Sequence, residues 1–219
     1  MKQALIIGAS GGIGAALVAE AQSRRYAVTP LSRAQDGLDV TDQASVDRAL
    51  TALDGPYDLI FVATGALQIG GTPPEKALKQ LNAGTLADQF TVNAIGPAMI
   101  LRHAARLLPR DRRAVFAALS ARVGSIGDNG LGGWYSYRAA KAALNQIIHT
   151  ASIEIARSHP SAIVTALHPG TVATPFTKDF VKAEKATPPS EAAANLLDLC
   201  DTLTVTGGFF DYAGREIPW

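Results

Sequence analysis

At 219 residues, 47% of them hydrophobic, the chain is long enough to bury a substantial core and suits one large α/β domain better than two small ones. Its formal net charge is +1 and its Lys and Arg residues are scattered, which argues against nucleic acid as a partner. The one cysteine, Cys200, excludes an internal disulfide framework and a cysteine-based zinc site, and no apolar run approaches the roughly 18 residues of a membrane span.

The first strand is predicted at 4–7. It opens almost at once, leaving no room for a signal peptide, so the expected compartment is the cytoplasm. Directly after it stand Gly8-Ala9-Ser10-Gly11-Gly12-Ile13-Gly14 and then a predicted helix at 13–24. Glycines permit a tight turn, close approach of backbone to a pyrophosphate and close packing of helix on strand, while free helix amides face the anion. Strand before and helix after is the setting in which such a loop binds a dinucleotide, so Gly8, Ser10, Gly12, Ile13 and Gly14 are candidate cofactor contacts. A second strand is predicted at 27–31. About nineteen residues past Gly14, where a carboxylate would bind the ribose 2′-hydroxyl of NAD, the chain has Ser32-Arg33. A guanidinium with a hydroxyl beside it suits a 2′-phosphate, and this predicts NADP(H).

A very short third strand is predicted at 38–40. Only Ala34-Gln35-Asp36-Gly37 separates it from the second, whereas a parallel crossover needs a dozen or more residues. The helix between strands 2 and 3 is therefore expected to be missing, and the third strand to be a stub near the carboxyl end of the sheet. Further strands are predicted at 59–63, 114–119, 163–167 and 208–212, and helices at 44–53, 85–108, 135–157 and 190–201. This alternation implies an α/β fold, a single-domain Rossmann-like doubly wound parallel sheet over residues 1–219. Cys200 falls in an apolar helical pattern and reads as an inert buried thiol; His103, His149, His159 and His168 lack ligand spacing, and no metal is expected.

The helix at 135–157 opens with Tyr135-Ser136-Tyr137-Arg138-Ala139-Ala140-Lys141, which puts Tyr137 and Lys141 four residues apart on one face. A phenol with an ordinary pKa near 10 is a poor acid-base catalyst at neutral pH; an ammonium held beside it stabilises the phenolate.

In this order the motifs resemble the short-chain dehydrogenase/reductase family over essentially the whole chain. The glycine loop matches the family's cofactor turn, Asp39-Val40 its adenine-contacting pair, and Asn93 its helix asparagine. Tyr137 with Lys141 matches its active-site pair, and Pro169-Gly170-Thr171-Val172-Ala173-Thr174 the stretch contacting the nicotinamide end. The run from Ser120 to Asn129, then Leu131-Gly132-Gly133-Trp134-Tyr135-Ser136-Tyr137-Arg138, and the tail from Gly207 to Trp219 are similar to the C-factor and sniffer-like carbonyl reductase branch. The resemblance implies hydride transfer between NADP(H) and a small carbonyl or alcohol, with Tyr137 as acid and base. Lys141 would bond the nicotinamide ribose and lower the tyrosine pKa, and Asn93 would hold a water leading to Lys141. Val172 and Thr174 would join the nicotinamide contacts; Trp134 and Phe176 would line the substrate pocket or serve as plain packing beside the cleft. It also implies a homodimer or homotetramer.

Two places depart from the family pattern. The usual Asn-Asn-Ala-Gly turn reads Val62-Ala63-Thr64-Gly65, so Ala63, Thr64 and Gly65 retain backbone contacts to the adenosine ribose only. The missing helix after Arg33 would open the adenine pocket. The serine that orients the substrate oxygen is ambiguous. Counting from the strand at 114–119 leads to position 121, an alanine, with Ser120 beside it; counting back twelve residues from Tyr137 leads to Ser125, the favoured choice. A rival reading keeps the fold without the turnover: an NADP(H)-binding sensor or signalling protein, which would need the phosphate loop but not Tyr137 beside Lys141.

Overall fold

The computed structural model describes residues 1–177 and 186–219. Its chain order is β1 (Gln3–Ile7), α1 (Gly12–Ser23), β2 (Ala27–Leu31), α2 (Arg33–Asp36), α3 (Gln43–Thr51) and β3 (Leu59–Val62). Then come α4 (Ala83–Phe90), α5 (Gly96–Leu101), α6 (Ala104–Leu107), β4 (Ala114–Leu119), α7 (Tyr135–Ala156), β5 (Ala162–His168), α8 (Pro189–Thr202) and β6 (Phe209–Asp211). The strands form one six-stranded sheet in the order β2-β1-β3-β4-β5-β6, every neighbouring pair parallel.

Strands buried on both faces must be apolar throughout, and β3 (Leu-Ile-Phe-Val) and β4 (Ala-Val-Phe-Ala-Ala-Leu) are. Side chains alternate between two cores. Leu5, Ile7, Ile60, Val62 and Phe116 pack with Val46 and Leu50 of α3, Ile100 of α5, and Leu144 and Ile148 of α7. Ala4, Ile6, Phe61, Val115 and Leu167 pack on the other face with Leu17 and Ala21 of α1 and Leu196 and Leu197 of α8. Because α1 leads outward to β2 while α3 returns the chain to β3 on the other side of β1, the winding reverses between β1 and β3. That is the crevice where α/β sheets bind ligands, at the carboxyl ends of the strands.

The edges of the sheet are distinct. In β2, Leu31 turns its carbonyl inward to the amides of Gly8 and Ala9, so its neighbour Pro30 has its nitrogen at the free edge. At the other edge β6 has three residues, and the tail folds back antiparallel on it, with Phe210 bridging Glu216 and Ile217 N–H donating to Phe209 O.

Two sequence expectations are corrected. Residues 38–40 form no strand: Leu38 N–H donates to Ser32 O, Asp39 N–H to Ser45 Oγ, and Asp42 N–H to Asp39 O, so these amides serve turns instead of a ladder. In place of a crossover helix stands the single turn α2, closed by Gly37 in the left-handed region. The helix expected at 85–108 is divided into α4, α5 and α6, with a π-turn at Thr91–Ile95 between α4 and α5.

Candidate active site

The glycine loop sits at the carboxyl end of β1. Gly8 has φ +90°, and a Cβ at Gly14 would fall 2.0 Å from Gly8 O, so the loop and the first turn of α1 touch backbone to backbone. Gly11 brings no side-chain cap to α1, which leaves the amides of Gly12, Ile13 and Gly14 open to an anion alongside Ser10. A Cβ at Gly12 would lie 2.6 Å from Thr174 Cγ2, so the stretch after β5 closes over this loop. Its Val172 is buried and bridges Thr187, and Gly170 takes φ +79° against the Tyr212 ring. Such a glycine-lined cradle, with open amides at the start of α1, fits a dinucleotide pyrophosphate.

At the end of β2 the structure adds a residue that the sequence reading passed over. Ser32 is buried and caps α2, its hydroxyl accepting from Gln35 N–H at 3.2 Å; its own N–H and hydroxyl donate to Asp36 Oδ2 at 2.8 and 3.3 Å. A carboxylate therefore stands beside Ser32 after all, brought back by the turn of α2, while Arg33 is exposed. Asp39 accepts from Thr41 N–H and Oγ1, whose hydrogen bonds hold its carboxyl below the usual range, with Arg33 adding to the effect. Val40 packs against Gly96. Ala63 N–H bonds Ile7 O, and the Thr64 hydroxyl is buried with no partner among the described residues.

Asn93, Lys141 and Gly65 meet. A Cβ at Gly65 would lie 3.0 Å from Asn93 Oδ1 and 3.4 Å from Lys141 Nζ. Asn93 is fully buried in the π-turn, a distortion often found at functional sites. Its Oδ1 accepts from Ala66 N–H at 3.0 Å, and its Nδ2 donates to Ala66 O and Gln89 Oε1 at 2.9 and 2.7 Å. Two bonds of this amide clamp the chain after β3, and the third ties it to Gln89 of α4.

Lys141 Nζ donates to Leu119 O at 2.8 Å, and burial lowers its pKa to about 7. Tyr137 is 5% exposed, and burial pushes its phenol well above the ordinary value. Lys141 Nζ lies 5.9 Å from the Tyr137 ring centroid, without a hydrogen bond between them. Trp134 and Phe176 flank the tyrosine at 6.4 and 6.3 Å between centroids.

Glu75, 61 residues from its partner, went unseen in the sequence. Its carboxylate accepts from Ser136 N–H at 3.2 Å and from the Ser136 hydroxyl, and its carbonyl accepts from Trp134 N–H at 2.5 Å. It thereby caps α7 one residue before Tyr137, after a left-handed run of Gly132, Gly133 and Trp134. No local motif announces such a contact.

Neither candidate serine is bonded to Tyr137. Ser120 donates to Asn145 Oδ1 at 2.6 Å. Ser125 donates to the carbonyl of Pro218 and accepts from Asp128 N–H at 3.0 Å, so its hydroxyl fastens the tail to the loop after β4. Of the loop at 174–189 that would shape the substrate pocket, residues 178–185 lie outside the described residues.

A doubly wound parallel sheet with a glycine loop after β1 and a Tyr-Lys pair on α7 defines a class of nucleotide-dependent enzymes, and comparison with known proteins agrees. Residues 10–206 match the family model described as enoyl-(acyl carrier protein) reductase. The chain belongs to the short-chain dehydrogenase/reductase family. It is 36% identical over 177 residues to C-signal of Myxococcus xanthus, covering 78% of this chain and 98% of that one. With 1-hydroxy-2-glutathionyl-2-methyl-3-butene dehydrogenase of a Rhodococcus species it shares 32% identity over 193 residues, covering 84% of this chain and 80% of that one. The NADPH-bound carbonyl reductase from chicken fatty liver has the same fold, with a TM-score of 0.78 at 21% identity over 100% of this chain and 99% of that one.

Proposed function

We propose that this oxidoreductase is an NADP(H)-dependent carbonyl reductase, moving hydride between the nicotinamide and a small carbonyl or alcohol. The observation that carries the reading is the convergence of Tyr137, Lys141 and Asn93 at the carboxyl end of the sheet, beside a glycine-rich loop. A relative named as a dehydrogenase of a hydroxy compound and a neighbour named as a carbonyl reductase support the alcohol/carbonyl pair.

When bound, NADPH supplies the hydride. Gly8, Ser10, Gly12, Ile13 and Gly14 would hold its pyrophosphate; Ser32, Arg33, Asp39 and Val40, with Ala63, Thr64 and Gly65, would hold the adenosine; Pro169, Gly170, Thr171, Val172 and Thr174 would hold the nicotinamide end. Tyr137 Oη gives its proton to the carbonyl oxygen during reduction, and burial, which favours the neutral phenol, keeps that proton in place until it is needed. Lys141, with its pKa brought near neutrality, returns a proton to the phenolate. Trp134 and Phe176 keep water from the reacting oxygen. A homodimer or homotetramer is part of the same reading.

Asp36 favours a second reading, NADH as cofactor, because a carboxylate beside Ser32 suits a ribose 2′-hydroxyl. NADPH oxidation with a panel of aldehydes, ketones and quinones tests the proposal. Tyr137→Phe should keep cofactor binding and lose on the order of 10²–10⁴ in kcat. A near wild-type rate on a confirmed substrate would favour the sensor instead.

A further inference from the structure

A cavity of about 330 Å³ lies over the carboxyl ends of β4, β5 and β6, walled by Arg122, His168, Thr171, Thr187, Asp211 and Arg215 among others. We propose that it binds a carboxylate, the anionic end of the carbonyl substrate; this deepens the reductase reading above and rests on it.

Charge and geometry lead there. Asp211, its side chain 1% exposed, accepts from Arg122 Nη2 at 3.1 Å and Arg215 Nε at 2.9 Å, and from the N–H groups of Ala213 and Arg215 at 3.0 and 3.1 Å. One buried carboxylate thus aims two guanidiniums at the same space, and the wall carries a net charge of one positive unit. Arg122 also pairs through Nη1 with Asp128 Oδ2 at 3.1 Å, a residue outside the wall, so recognition falls to the Arg215 fork and not to a surplus of charge. Arg215 spends only Nε on Asp211; Nη1 and Nη2 have no partner among the described residues. A planar guanidinium fork with both Nη groups open matches the two oxygens of a carboxylate.

The remaining wall supports the same ligand. His168 Nδ1 is buried without a partner among the described residues, and burial, aided by Arg122, keeps this imidazole neutral at neutral pH, so it adds a hydrogen-bonding site and no charge. The hydroxyl-bearing residues Thr171 and Thr187 complete a surface that offers an apolar tail little. Location ties the cavity to the reaction. Arg122 directly follows Ala121, where the family resemblance places the substrate-orienting hydroxyl, and Thr171 belongs to the stretch that, in the reading above, would face the nicotinamide.

Hexanoate and hexanamide have similar size and differ in charge. In calorimetric titration of the full chain at low salt, hexanoate should bind at least roughly 10-fold more tightly than hexanamide. Arg215→Met should abolish most of that difference and leave hexanamide unchanged, and Arg215→Lys, which keeps the charge and loses the fork, should fall between. Arg215 has a side chain 71% exposed, so the variants retain the Arg122–Asp211 pair and the fold, as circular dichroism would verify. Equal affinity for the two probes, no hexanoate binding at about 20 mM, or binding unaltered in Arg215→Met would overturn the proposal. A turnover arm with NADPH compares 5-oxohexanoate with its methyl ester. Reduction of the ester as fast as the acid overturns the inference and leaves the reductase reading intact. Reduction of neither, with Arg215-dependent hexanoate binding retained, overturns the substrate role while the carboxylate site itself stands; the reductase reading falls only if the panel of aldehydes, ketones and quinones is also left unreduced.

Discussion

Lys141 offers a test that needs no substrate. Its ammonium is buried against Leu119 O, and its pKa falls from 10.5 to about 7 on folding. A depressed lysine makes its burial cost greatest where it is charged in both states, below pH 7. As pH rises from 7 towards 10.5 the folded chain sheds the proton before the unfolded chain does, and stability climbs by about 1.4 kcal/mol per pH unit. The full depression corresponds to about 5 kcal/mol. Lys141→Met removes the charge at nearly constant volume, and the lost bond to Leu119 O is a pH-independent offset. Urea unfolding of both proteins without cofactor, at pH 7, 8, 9 and 10, isolates this one group because all others cancel in the difference. The stability of the wild type relative to Lys141→Met should rise by roughly 4 kcal/mol over that range. A difference that stays flat within about 0.5 kcal/mol would refute the claim that the ammonium is desolvated in the fold.

The other expectations follow from single contacts. Arg33→Ala should raise KM for NADPH and leave KM for NADH nearly unchanged; the reverse pattern would transfer cofactor choice to Asp36. Ser125→Ala should lower stability by about 1–2 kcal/mol through its lost bond to Pro218 while kcat falls less than about 10-fold; a kcat loss near 10² would restore the catalytic role suggested by its spacing from Tyr137. Glu75→Ala should cost about 1–3 kcal/mol in urea unfolding and reduce kcat, with Glu75→Gln milder on both counts because the amide oxygen still accepts from Ser136.

The parallel sheet was legible because β3 and β4 are apolar along their whole length, β1 and β5 over most of theirs, and all are separated by helical periods; the glycine loop was legible because strand, loop and helix are contiguous. The stub at 38–40 was misread: Leu38 and Val40 have strand-like side chains, yet the amides of Leu38 and Asp39 are already taken by Ser32 and Ser45. The π-turn around Asn93 was invisible because the segments on either side both read as helix and one residue added to a turn carries no local sequence mark. Glu75 and Asp36 escaped for opposite reasons. One reaches across 61 residues, and the other sits only four residues from Ser32, where a reading that expected an open loop had no turn to bring it back.

The two margins of the sheet also constrain how copies of the chain can meet. Pro30 leaves the β2 margin without an N–H at the position where an approaching strand would look for one, and β6 is short and already occupied by its own tail through Phe210 and Glu216. Strand-by-strand growth from one molecule into the next is thereby opposed at both margins, a safeguard against fibrous association.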